Sequence, residues 1–171
     1  MVMKTLKDLF DTLMPVSLGA TPTDEAHSLQ LAAAVLLVEV MRADTSFHPD
    51  ERATVLAALR EGFALTEDEA TRLTELGEVT ARDSTDLFSF TSRINDRFDM
   101  PQKLRMVEQM WQVAYADGQL SAHERHVLWR IADLLHVPQG AYQQARIGAE
   151  ADAAARLPNP RQALNVGQRT D

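Results

Sequence analysis

The stretch ADGQLSAHER, Ala116 to Arg125, aligns without a gap on ADTSFHPDER, Ala43 to Arg52, 73 residues earlier. Both read Ala-Asp-x-x-(Phe/Leu)-x-x-x-Glu-Arg. Each follows an apolar helical segment, LLVEVMR or MWQVAYA, and each precedes another, ATVLAAL or HVLWRIA. The start of the next helix is echoed as well, in ALTEDEA and HVPQGAY. A helix–turn–helix unit used twice is the simplest reading. Two such hairpins packed about a pseudo-two-fold axis would bury both apolar faces.

Outward from these blocks, apolar residues recur at three- and four-residue spacing, and no sustained period-two alternation interrupts them. The chain therefore reads as all-α: a single-domain helical bundle of about seven to eight helices, with two pseudo-symmetric helix-turn-helix repeats. An amphipathic N-terminal helix carries Leu6, Leu9, Phe10 and Leu13 on one face, and a turn-rich linker (SLGATPT) follows, so residues 1–23 form one region. The helical domain takes residues 24–157. Its helices start at about Asp24, at Pro49 (with Gly62 placed to end that helix), and at Thr66, where Glu69 completes a capping box. DSTDLFSFTSRIND, MPQKLRMVEQMWQVAYAD, SAHERHVLWRIADLLH and VPQGAYQQARIGAEADAAA supply the remaining helices. Residues 158–171 have little to bury and are expected to be a disordered tail.

The chain has 171 residues, 45% of them hydrophobic, which is enough for one substantial core. A net charge of −8 with no clustered Lys/Arg face argues against nucleic-acid binding. The absence of cysteine removes disulfides, thiolate metal sites and Cys nucleophiles, and fits a reducing, cytoplasmic setting. No run approaches the ~18 consecutive apolar residues of a spanning helix. Lys7, Asp8 and Asp11 break any signal-peptide core. No phosphate loop or nucleophile motif is present, which leaves no support for an enzyme.

The chemistry-bearing residues are the repeated acids. DGQLSAHE matches the back half of an EF-hand loop, but Val113 and Tyr115 (Val40 and Arg42 in the first block) stand where its first ligands would be. Glu124 pairs with Ser121 as a capping box, and Glu51 lies in a first helical turn after Pro49, which suits the helix dipole. Asp44 and Asp117 are placed against preference, at C-terminal helix ends, which costs about 0.3–1 kcal/mol each. Their compensation is either a cation on the chain, Arg52 or Arg125, or a divalent metal shared with Glu51 and Glu124. Glu39 could add a carboxylate to the first block, where the second has Gln112. Oxygen donors favour Ca, Mg or Mn, and His48 and His123 could draw the preference toward Zn. His123 and His126 lack a third ligand and read as solvent-facing. Trp111, Tyr115 and Trp129 read as core packing with a polar tip reaching a partner.

At the doubled block, with LLVEVMRADTSFHPDERATVLAAL and MPQKLRMVEQMWQVAYADGQLSAHERHVLWRIADLLHV around it, the chain resembles the TerB-like family. That family is named for tellurite resistance and also includes a region of DnaJ-like co-chaperones. The resemblance runs from about Leu29 to Ala149. It implies an all-helical, non-enzymatic stress-response module that works through other proteins, in a membrane-associated complex peripheral to the inner membrane. Homo-oligomers are left open. It also implies metal ligation by Asp44, Glu51, Asp117 and Glu124, with Glu39 a weaker addition. Thr45 and Arg42 depart from the family pattern. Two rivals stand beside this reading: a metal-free scaffold with structural acidic turns, and a metal-dependent hydrolase.

Overall fold

Leu31 to Val38 form an unbroken run of buried apolar residues, three of them alanines, and Val40, Met41 and Ala43 continue it. A helix that is apolar on every side belongs in the middle of a fold. In the computed structural model, which describes residues 22–44 and 48–156, this helix is α1 (Pro22–Ala43). The others are α2 (Pro49–Phe63), α3 (Glu67–Asp83), α4 (Phe88–Arg97), α5 (Met100–Ala114), α6 (Ala122–Leu134) and α7 (Gln139–Arg156). All regular structure among the described residues is helical, as the sequence predicts. The N-terminal helix, its linker and the tail expected from residue 158 onward lie outside the described residues.

Helix α1 packs against α2, α3, α4, α5 and α6, while α7 lies on α5. Its Asp24–Ala43 stretch, with a mean hydropathy of 1.3, is long and apolar enough to cross a bilayer on length and composition alone. Here 61% of that window is buried against the other helices, so the apolarity is used for the core. Small residues let the neighbours approach closely. A Cβ on Gly77 of α3 would stand 3.2 Å from the Ala34 Cβ and 3.3 Å from the Ala34 carbonyl carbon. Side-chain to backbone and side-chain pairs fix α4: Arg93 Nη1 donates to Ser28 Oγ at 2.7 Å, and Asn95 Nδ2 to the Leu134 carbonyl at 2.9 Å.

The helix starts follow the sequence signals. Thr66 with Glu69, Asp99 with Gln102, and Ser121 with Glu124 each form reciprocal capping boxes. The end of α2 differs from expectation. Gly62 lies inside the last turn, and Ala64 takes the left-handed conformation (φ 52°). The backbone amides of Ala64 and Leu65 both reach the Arg60 carbonyl, and Phe63 and Leu65 pack on the core. That packing holds a conformation which alanine alone disfavours. Trp129 also differs from expectation: it is 46% exposed and stacks on His126, whereas Trp111 is buried.

Because α1 meets α3 through Gly77 and Ala34, Gly77→Val is expected to cost about 1–3 kcal/mol. Urea unfolding checks this, with a lower midpoint and an unchanged slope expected.

Candidate metal centre

The turn after α1 and the turn between α5 and α6 carry the two acidic blocks. Asp44 follows the last residue of α1. Glu51 sits at the third position of α2, after the N-cap His48 and Pro49. Asp117 lies in the turn after α5, and Glu124 occupies the third position of α6. Since α1 packs on both α5 and α6, and α2 packs on α5, the blocks come together. Oxygens of Asp44, Glu51 and Glu124 all lie within 4.8 Å of one another. Acids 73 residues apart in sequence share one small volume.

The glutamates are buried deeply, Glu51 at 0% and Glu124 at 1% exposure. For Glu124, Oε2 accepts from the Ser121 amide at 2.7 Å, as the capping box requires, but buried Oε1 has no hydrogen-bond donor among the described residues. Glu51 is more exposed to the problem. His48 caps α2 through Nδ1, which accepts from the Asp50 amide at 3.3 Å, and both Glu51 oxygens are buried without a hydrogen-bond donor among the described residues. The Asp44 carboxyl beside Glu51 is itself an acceptor when ionised. The pair can be hydrogen-bonded only with a proton between them. Helix capping therefore explains half of Glu124 and none of Glu51.

The electrostatics follow. Burial pushes the Glu51 carboxyl up to about 9, reinforced by the hydrogen bond and charge of Asp44 and by the charges of Asp117 and Glu124. Burial also raises Glu124, opposed by its hydrogen bonds to Ser121 and reinforced by Asp44 and Asp117. An unpartnered buried carboxylate is costly, so the centre demands positive charge, supplied as a proton or as a cation.

The other expected ligands are placed differently. Asp117 is near enough for its charge to act on both glutamates, yet its Oδ1 accepts from the Gln119 amide at 2.9 Å, stabilising the turn locally. Gly118 beside it adopts φ +78°, which ends the helical path. Glu39 is engaged by Arg42, whose Nη1 donates to Oε1 at 2.9 Å; its carboxyl is raised by burial and lowered in part by that guanidinium. Arg52, one of the cations offered to the aspartates, lays Nε on Glu78 of α3 at 3.1 Å. His123 and His126 are exposed.

Beside Asp117 opens a cavity of about 460 Å³ with Asp50, Glu150 and Asp152 on its walls. Tyr115 hydroxyl donates to Glu150 at 3.1 Å, and Arg146 lies 5.7 Å over the Trp111 ring. Tyr115 packs against the core and turns its hydroxyl to polar partners. Its partners stand on α7, and no local spacing connects that helix to the turn.

An all-helical domain whose two acidic turns converge on buried carboxylates is the class that fold and site define. The family model described as tellurite resistance protein TerB matches residues 30–147, and the chain belongs to that family. No curated protein and no solved structure matches it.

The raised Glu51 carboxyl gives a signed pH dependence. Between pH 4.5 and about 9 the metal-free folded state holds a proton that the unfolded chain has released, so its stability falls as pH rises through that window. Glu51→Gln removes the burden. The variant is expected to exceed its parent by about 1–3 kcal/mol near pH 8 in chelator, with the gap closing toward pH 5. Urea denaturation across that range measures it.

Proposed function

We propose that this chain is a tellurite-resistance-type stress-response module in which the two acidic turns jointly hold one divalent cation. The single observation behind this is the set of three buried carboxylate oxygens, two on Glu51 and one on Glu124, that lie close to Asp44 without a donor among the described residues. A divalent ion would satisfy them at once. Asp44, Glu51 and Glu124 would be its protein ligands, with Asp117 adding negative potential from the rim. When bound, the ion would cross-link the end of α1 to the starts of α2 and α6. The donors are all hard oxygens, and His48 is committed to capping its own helix, which favours Ca, Mg or Mn over Zn.

The module acts by binding rather than by catalysis. A hydrolytic metal needs an open position for water and substrate, whereas these glutamates are sealed from solvent. Membership of the TerB family supports a role in stress protection exercised through partner proteins, and a cysteine-free chain suits the cytoplasm.

A second reading has its own observation. With Glu51 raised to about 9, a proton shared with Asp44 could hold the turns without metal, leaving a purely structural scaffold. Calorimetric titration with Ca, Mg, Mn and Zn separates the two. The metal reading predicts binding heat accompanied by proton release, seen as a dependence on buffer ionisation enthalpy. It also predicts loss of binding in Glu51→Gln, weakening by about tenfold in Asp117→Asn, and little change in Glu39→Gln. Absence of heat with all four ions would establish the proton-held scaffold.

A further inference from the structure

Away from the acidic turns, the middle of α1, the last turns of α2 and the first turns of α5 enclose an apolar groove of about 530 Å³. Ala33, Leu37, Leu59 and Met106 form its buried floor, while Leu29 and Phe63 stand half-exposed at its sides. That volume falls in the range of sites that enclose an apolar ligand. Opposite charges, Glu61 from α2 and Arg105 from α5, border it and are both exposed.

We propose that this groove is the docking site of the chain's own N-terminal segment, Leu6 to Leu13. Three observations select that occupant. The first is reach. The described chain begins at Pro22, and Leu29 lies seven residues further on, about 10 Å along the helix axis. Residues 14–21 extended would cover about 26 Å, ample to fold back.

The second is pattern. Leu6, Leu9, Phe10 and Leu13 have the spacing of one helical face, and eight helical residues span about 12 Å. Leu29, Ala33 and Leu37, spaced by four, run about the same length along α1. The third is charge. The segment carries Lys7 together with Asp8 and Asp11, so it offers a charge of opposite sign to each of the Glu61 and Arg105 borders. The C-terminal chain is the poorer candidate. It leaves α7 at Arg156, which lines the acidic cavity instead, and it offers only scattered apolar residues such as Leu164 and Val166.

The chain contains no cysteine, so a nitroxide can be placed uniquely. Ala57→Cys puts it on the exposed side of α2, next to the groove without lining it. In the full-length labelled chain, amides of residues 6–13 are expected to lose most of their intensity, and to stay broadened when diluted with excess unlabelled chain. Leu9→Asp with Phe10→Asp should restore their signals while leaving the helical circular dichroism intact. Unbroadened amides overturn the proposal. Broadening that disappears on dilution also overturns it, in favour of a second copy as the source. Broadening that survives the double substitution would show that the segment does not dock through its apolar face.

Discussion

Two glutamates with essentially no solvent exposure face an aspartate across a few ångströms, and this confrontation constrains the rest of the molecule. Carboxylates in such a setting repel one another and lack the water that would otherwise solvate them. Something positive must lie among them whenever the domain is folded. Burial and the neighbouring carboxylates raise Glu51 so that it holds a proton, but a proton satisfies only part of the oxygen set. A divalent cation would satisfy more of it and would join the end of α1 to the starts of α2 and α6. The centre thus connects the charge state of the site to the mutual position of the helices.

The fold delivers that confrontation through α1. Its buried alanines and the close passage of Gly77 let neighbouring helices crowd around it. Its C-terminal end then presents Asp44 to turns contributed by α2 and by the α5–α6 connection. Ser121 does the finer positioning on one side: its amide holds one oxygen of Glu124 and leaves the other without a donor among the described residues. On the other side, His48 caps α2 in place of a Ser or Thr box, which leaves Glu51 wholly for the centre. The two blocks look alike in sequence but divide the chemistry unequally.

Much of this was legible in the residues themselves. Periodicity gave the helices, the capping pairs gave their starts, and the duplicated block singled out the acids that converge. Other features were less legible, for physical reasons. Glu51 and Glu124 looked satisfied by helix-start preferences, because local signals say nothing about burial or about which oxygen lacks a donor. Asp117 looked strained, yet it has a local use at the Gln119 amide that spacing did not reveal. The sequence ends α2 at Gly62, whereas tertiary packing of Phe63 and Leu65 carries the helix on and holds Ala64 in a conformation glycine would adopt more readily. The Tyr115–Glu150–Arg146 network depends on where α7 lies, which no motif encodes.

The central claim is that positive charge at the meeting of the two turns is supplied by a single divalent ion. Anomalous diffraction from crystals of the protein soaked in manganese tests it most directly. The account predicts one strong peak among Asp44, Glu51 and Glu124, absent from Glu51→Gln crystals treated the same way. A centre that stays free of anomalous signal while manganese binds elsewhere would contradict it.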